Sequence, residues 1–187
     1  TKLITCHIGN GASISAIVNG KCLNTSMGLT PNAGLIMGTR CGDIDATILP
    51  YLMEKQNISC KEMDRIMNKE SGLLGISGVS SDSRDIENGI KEGNKRCELA
   101  QKMYVRRIID YIAKYYVELG GCDGIVFTAG VGENSVSVRK AIMEGLEVLG
   151  IKLDEEKNNI RGSLQKISAN DSSVLVYVIP TDEELMI

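Results

Sequence analysis

The chain has 187 residues, and 43% of them are apolar, so it can bury one sizeable core or two small ones. Its 21 basic and 24 acidic residues give a net charge of −3 without a sustained basic run, which argues against nucleic acid as a partner. No apolar run is long enough to span a bilayer, and the first residues do not resemble a signal peptide. We therefore expect a cytoplasmic protein without a membrane partner.

Cysteine and histidine usage argues against several kinds of site. The six cysteines are scattered without a Cys-x-x-Cys pair, which favours reduced, structural thiols over a disulfide framework. With His7 as the single histidine, a His-rich metal site or a Cys-His zinc cluster is nearly excluded. The sequence starts at Thr1 and stops on the apolar run Leu185-Met186-Ile187, so we expect it to be cut from a longer protein.

The first stretch, Leu3 to Lys21, predicts two short strands folded about Gly9-Asn10-Gly11 and a second reversal at Asn19-Gly20. Both residues of an Asn-Gly pair tolerate positive φ, which favours tight turns. The first tip lacks bulky side chains, so its backbone N–H groups could approach an anion closely. An ordinary hairpin with a glycine turn is the alternative for this segment taken alone.

A long segment rich in Gly, Thr and Ser follows, from Thr25 to Asp43. Loops of this length inside a compact domain are usually functional. Arg40 lies in it, flanked by glycines at positions 38 and 42. It could form a surface ion pair, or it could reach into a cleft and stabilise charge on a group in transfer.

Helices are predicted from apolar spacing and caps. The first follows Asp43 or Asp45 as cap, with a kink or delayed start at Pro50; its apolar face comprises Ile44, Ile48, Leu49, Leu52 and Met53. A short helix covers Ser59 to Lys69, and another starts in the Ser80–Asp85 stretch. The longest runs from about Lys95 to Leu119 and is ended by Gly120-Gly121; its inward residues are Leu99, Met103, Ile108, Ile109, Ile112, Tyr116 and Leu119.

The stretch from Gly124 to Ser135 predicts a buried strand, a glycine turn and a helix that continues to Gly150. A helix that starts after such a turn can bind an anion, because its first N–H groups lack partners. A dinucleotide fingerprint is disfavoured, since its third glycine is replaced by Ser135, and no Walker loop is present. A last strand, Val174–Ile179, leads to Glu183-Glu184, which could hold Mg²⁺ or be a solvated turn.

Taken together, these motifs resemble the acetate kinase family in sequence and in order. The matching segments are His7–Ser13, Thr25–Pro31, Met37–Asp45, Phe127–Ser135 and Pro180–Leu185. The resemblance covers the whole chain but only the C-terminal half of the family. It implies an α/β, actin-like and sugar-kinase-like (ribonuclease-H-like) domain, with a mixed sheet flanked by helices. The implied reaction transfers phosphate between ATP and acetate with Mg²⁺.

The resemblance also implies roles for individual residues. The phosphate channel is lined by His7, Ile8, Gly9, Asn10, Gly11 and Ala12; the nucleotide is contacted by Asp82, Ser83 and Arg84; the adenosine loop is Gly130, Val131, Gly132, Glu133 and Asn134. Glu183 matches the metal-associated glutamate, and Arg40 matches the catalytic arginine.

The resemblance thus implies that residues 1–187 form the C-terminal, nucleotide-binding domain of a two-domain kinase. Its substrates would be ATP or ADP and acetate or acetyl phosphate, and it would form a homodimer. Propionate or butyrate kinase of the same superfamily is the nearest alternative. A nucleotide-binding module without chemistry is the alternative from another class.

Overall fold

The computed structural model describes residues 1–182 and divides into two compact units. The first unit combines residues 1–26 with the chain from Val105 onward, and the second comprises Met27–Tyr104. The boundary between residues 104 and 105 falls within the longest helix, α5 (Lys95–Glu118). The bounds of α5 confirm the long helix predicted from about Lys95 to Leu119.

The first unit is built on a mixed six-stranded sheet. Its strands are β1 (Lys2–Ile8), β2 (Ala12–Val18), β3 (Lys21–Thr25), β4 (Gly124–Thr128), β5 (Gln165–Lys166) and β6 (Leu175–Val178), in the order β3-β2-β1-β4-β6-β5. The three central strands β1, β4 and β6 are parallel, and the outer strands pair antiparallel to their neighbours. The carboxyl ends of the three central strands therefore lie at one edge of the sheet.

Two turns shape the β1–β2–β3 meander, and they differ. Asn19 and Gly20 have φ of 50° and 78°, the left-handed pair that a tight hairpin requires. The Gly9–Gly11 turn is different, because none of its residues has a positive φ. This turn is closed instead by a hydrogen bond in which the Gly9 N–H donates to the Gly11 carbonyl at 3.0 Å.

One face of the sheet is a continuous apolar layer. Ile4 pairs with Ala16 on one side and with Ile125 on the other, and all three are fully buried. The next row places Cys6 between Ile14 and Phe127. Because side chains alternate along a strand, the residues between these rows face the other way, and there Thr5 and Ser15 are polar.

Three further helices belong to the first unit: α6 (Ala129–Asn134), α7 (Val136–Gly145) and α8 (Glu155–Asn158). The helix predicted to run on to Gly150 is interrupted at Ser135, whose side chain accepts the Val138 N–H and caps α7. A 3-10 turn, Glu147–Leu149, then ends at Gly150 with φ 75°.

The buried stripe of α5 differs from the predicted one. Leu99 and Met103 are 51% and 41% exposed, so their assignment to the inward face was wrong. The buried positions recur at helical spacing and are Cys97, Ala100, Tyr104, Val105, Ile108, Ile112 and Tyr115, followed by Leu119 just after the helix. The prediction missed Cys97, Ala100, Tyr104 and Tyr115, because small and aromatic residues also fill buried positions of a closely packed core.

The second unit contains α1 (Ile48–Gln56), α2 (Cys60–Arg65), a π-helical turn (Ile66–Glu70), α3 (Gly72–Ser77) and α4 (Ser83–Lys91). The start of α1 corrects the predicted cap: the N-cap is Thr47, whose N–H and hydroxyl donate to Asp45. Pro50 lies in the first turn, where its missing N–H has no intrahelical acceptor to lose, so it does not break α1. None of the α1 residues is buried, contrary to the predicted inward face.

Candidate functional site

The candidate site lies at the carboxyl edge of the parallel strands in the first unit. His7, near the end of β1, pairs in register with Ser13 on β2 and with Thr128 on β4. These three residues stand on the face of the sheet opposite the apolar layer. Open α/β sheets bind ligands at this edge, beyond the carboxyl ends of their strands.

Two of the loops predicted from sequence meet at this edge. A Cβ placed on Gly9 would lie 3.6 Å from Cβ of Ala129, the first residue of α6. A Cβ on Gly132 would lie 3.5 Å from the Phe127 carbonyl carbon and 3.7 Å from Cβ of Ile8. The structure therefore brings the His7–Gly11 segment and the Gly130–Asn134 segment together.

The tip of the β1–β2 turn offers unused donors. Asn10 and Gly11 are exposed, and no acceptor within residues 1–182 receives the N–H of either. The absence of side-chain bulk at Gly9 and Gly11 leaves the backbone accessible. This tip can donate hydrogen bonds to an anionic oxygen, as the sequence predicts.

The predicted glycine turn at Gly130 and Gly132 is wrong in its geometry. Both glycines are helical residues of α6 without positive φ, and the left-handed residue is Ala129, with φ 64°. A left-handed conformation costs a residue with a Cβ about 1–2 kcal/mol. Such strain persists only where the surrounding structure holds it in place.

Thr181 holds this strained start of α6. Its Oγ1 accepts the Ala129 N–H at 3.1 Å and shares a hydrogen bond with Oγ1 of Thr128. The Thr181 N–H donates to Oε1 of Glu133 at 2.9 Å. The side chain of Asn134 donates to the Gly130 carbonyl at 2.9 Å. Sequence reasoning missed Thr128 and Thr181, because the contact joins residues 53 positions apart.

Arg139 of α7 holds α6 through a hydrogen bond to its backbone. This residue was not identified from the sequence. Its side chain is fully buried and donates four hydrogen bonds: to the Gly132 carbonyl, to the Asn158 side-chain and backbone oxygens, and to the Ile160 carbonyl. All four distances lie between 2.8 and 3.0 Å. Burial, with a smaller contribution from the nearby charge of Arg161, lowers the pKa of Arg139 to about 10. All these acceptors are neutral.

In the second unit, Arg40 lies on a rigid loop. The loop carbonyls of Met37 and Gly38 accept N–H groups from the start of α3 at 2.9 and 3.0 Å. Gly72, with φ 63°, sits so close to this loop that a Cβ would collide with the Met37 carbonyl oxygen. Because these hydrogen bonds fix the backbone of the loop, the loop can hold Arg40 in one position.

The guanidinium of Arg40 is available for a ligand. Its hydrogen-bond contacts are long ones, at 3.5 Å to the Pro31 carbonyl and 3.6 Å to the Met37 sulfur. Among the residues that the structure describes, no carboxylate forms an ion pair with it. Asp43 does not cap a helix, contrary to prediction, but accepts the Gly34 N–H at 2.8 Å and so closes the same loop.

Asp82, Ser83 and Arg84 form the start of α4. Asp82 is the N-cap and accepts the Arg84 N–H at 2.9 Å, while its carboxylate pairs with the Arg84 guanidinium at 2.6 Å. The Arg84 guanidinium lowers the pKa of Asp82, which keeps this exposed pair ionised. The predicted start of a helix in the Ser80–Asp85 stretch is confirmed, and the nucleotide contact stays a prediction.

The predicted metal residue, Glu183, lies outside the described residues. Within residues 1–182, no group of three or more His, Cys, Asp or Glu side chains is placed to hold a metal ion. The same part of the chain contains no helix long and apolar enough to cross a membrane.

Comparison with known proteins agrees with this architecture. The family model described as the acetokinase family matches residues 1–187. The acetate kinase of Treponema denticola is 58% identical over 186 residues, an alignment that covers 100% of this chain and 47% of that protein. The chain therefore spans about half the length of the curated relatives it matches.

Solved structures give the same result for the fold. The acetate kinase of Porphyromonas gingivalis superposes with a TM-score of 0.97 at 50% identity, over all of this chain and 47% of that one. A propionate kinase of Francisella tularensis gives 0.93 at 41% identity, over 98% of this chain and 47% of that one. These matches confirm the predicted actin-like α/β fold, and the chain belongs to the acetokinase family.

Proposed function

We propose that the full-length protein transfers the γ-phosphoryl group of ATP to acetate, giving acetyl phosphate and ADP, and that the reaction is reversible. We also propose that residues 1–187 are the C-terminal, nucleotide-binding domain of this two-domain kinase. The observation that carries the proposal is the meeting of the His7–Gly11 turn and α6 at the carboxyl edge of the sheet, in a member of the acetokinase family.

The turn supplies donors to the phosphates, and α6 supplies a wall for the nucleoside. The exposed N–H groups of Asn10 and Gly11 suit phosphate oxygens, and His7 stands beside them on the polar face of the sheet. The segment Gly130, Val131, Gly132, Glu133 and Asn134 is fixed by Thr181 and Arg139, which suits a site that must hold adenosine in one orientation.

Arg40 is the proposed catalytic residue. Phosphoryl transfer spreads negative charge over three equatorial oxygens, and a positioned guanidinium stabilises that charge. Its rigid loop supports this role, and so does the lack of a carboxylate ion-pair partner within residues 1–182. Asp82, Ser83 and Arg84 are proposed to contact the nucleotide.

Mg²⁺ is the proposed cofactor, with Glu183 as a carboxylate that would hold it. Magnesium is usually bound through one or two carboxylates together with substrate phosphates, so it needs no large cluster of protein ligands. When bound, it would neutralise charge on the phosphates. The chain's own donors at Asn10 and Gly11 orient those phosphates.

The test of the reaction is an acyl phosphate assay of the full-length enzyme with acetate, propionate and butyrate side by side. We expect the highest kcat/KM with acetate. The propionate kinase among the similar structures makes propionate the informative competitor. A higher kcat/KM with propionate would identify a propionate kinase, and no turnover with any acid would leave a nucleotide-binding module.

The fragment itself is expected to form no acetyl phosphate, because one reactant would lack its binding surface. Holding two reactants in contact can supply roughly 7–11 kcal/mol of a barrier. Turnover by purified residues 1–187 within about tenfold of the full-length enzyme, a barrier difference of only ~1.4 kcal/mol, would contradict this division of roles.

We further propose a cytoplasmic homodimer. Free cysteines at all six positions suit a reducing compartment. Exposed apolar side chains in the second unit, among them Leu29, Ile44 and Tyr51, suit an additional protein contact. Light scattering of the full-length enzyme would give twice the mass of one chain; the mass of one chain would exclude the dimer.

A further inference from the structure

We infer that Thr181 is a positioning residue for the nucleotide: through its hydroxyl and its N–H it holds α6 in the conformation that receives adenosine. The inference rests on the proposed function, because it assigns a role within that same site. The inference goes beyond the proposed function, because it names a residue that contacts α6 rather than the ligand.

Thr181 lies just after β6 and contacts both ends of α6. At the first end, Oγ1 accepts the N–H of Ala129 at 3.1 Å. At the other end, the Thr181 N–H donates to the Glu133 carboxylate at 2.9 Å. One residue therefore fixes the start and the last turn of a six-residue helix, which is too short to be stable by itself.

The hydroxyl of Thr181 makes two hydrogen bonds in this arrangement. A threonine hydroxyl has one proton and two acceptor lone pairs. One lone pair of Thr181 receives the Ala129 N–H, and a second hydrogen bond joins the hydroxyl to Oγ1 of Thr128. Thr128 pairs in register with His7, so Thr181 also links α6 to the polar row at the end of β1.

The strained residue indicates what Thr181 does. Ala129 has φ 64°, which an alanine leaves readily when nothing holds it. Its N–H is held by Thr181, and its Cβ packs 3.6 Å from the place of a Gly9 Cβ at the phosphate turn. Without the Thr181 hydroxyl, α6 would relax away from the turn, and the enzyme would have to restore its geometry on binding.

The test uses the full-length enzyme and titration with ADP. Thr181→Val keeps the side-chain volume and removes the hydroxyl, and we expect it to weaken ADP binding roughly tenfold. Thr181→Ser keeps the hydroxyl and should bind ADP as the wild type does. KM for acetate should stay unchanged in both. Thr5→Val, which alters a threonine in the middle of β1, is the matched control and should leave the affinity for ADP unchanged.

A second substitution separates positioning from direct contact with the ligand. Glycine adopts a positive φ without strain, so Ala129→Gly in the Thr181→Val background should recover part of the lost affinity. Losses that simply add in the double variant would overturn the inference, and so would a Thr181→Val enzyme with wild-type affinity. A wild-type enzyme that does not bind ADP would instead refute the proposed function.

Discussion

Replacing Arg139 with methionine should destabilise the protein strongly, because this buried side chain joins α6 and α7 to the chain around Asn158. Methionine keeps the apolar stem and removes all four donors. The acceptors that would lose their partners are the carbonyls of Gly132 and Ile160 and both oxygens of Asn158. Hydrogen bonds to a charged group contribute about 1.5–3 kcal/mol each.

Two effects reduce the loss from that upper range. Burial and, to a smaller extent, the charge of Arg161 lower the pKa of Arg139 to about 10, so removing the charge would offset part of this loss. Water can also reach the Ile160 carbonyl, which is only partly buried. We therefore expect a net loss of about 3–5 kcal/mol in the free energy of unfolding.

Equilibrium urea unfolding of the full-length protein measures this loss, and hydrogen exchange locates it. Amides from Asn158 to Gly162, and those of α6, should exchange faster in Arg139→Met. Arg139→Lys should be nearly as unstable, because an ammonium group cannot replace the planar fork of a guanidinium. Arg161→Met is the control and should be neutral or slightly stabilising, since the positive charge of Arg161 repels that of Arg139. A loss below about 1 kcal/mol in Arg139→Met would refute this account.

Three further predictions follow from the geometry. In the full-length enzyme, Arg40→Ala should lower kcat roughly 10²–10³-fold with little change in KM for ATP; a raised KM at normal kcat would make it a binding residue. Gly72→Ala should lower the free energy of unfolding in urea by about 3 kcal/mol or more, because the new Cβ would collide with the Met37 carbonyl oxygen. Gly20→Ala should lower it by only about 1–2 kcal/mol, because a Cβ there meets open space. Equal losses in the two variants would contradict the packing argument. Burial raises the pKa of Cys122 from 9.0 to about 11, so the contribution of this thiol to stability is complete below pH 9 and is lost as the pH rises towards 11. Cys122→Ala should therefore flatten the decline of the unfolding midpoint over this pH range. An unchanged decline would exclude Cys122 as its cause.

The sequence predicted β1, β2, β4, β6 and α5, because these elements carry their own periodicity or a short buried apolar run. It did not predict the two-residue strand β5. It also singled out the His7–Gly11 and Gly130–Asn134 segments, which the structure brings together, although the second is a short helix and not a glycine turn. The length of α5 was confirmed to within one residue at its end, at Glu118.

What the sequence missed depends on contacts between distant residues. Nothing local predicts that Ala129, rather than Gly130, is left-handed, because the hydroxyl that holds it belongs to Thr181. Arg139 reads as an ordinary surface residue of α7 until Asn158 and Ile160 close over it. Leu99 and Met103 satisfied the helical period but lie outside the buried stripe, because periodicity gives a face without saying which of two faces is covered.

The placement of β1 in the sheet has a consequence for the synthesis of the protein. One edge of β1 pairs at once with β2, but its other edge waits for β4, about 120 residues later in the chain. At typical translation rates of 5–20 residues per second, that edge stays unpaired for roughly 6–24 s on the ribosome. An unpaired strand edge can pair with other chains. During this interval the nascent chain, with Leu3 to His7 open on one side, is a ready substrate for a chaperone.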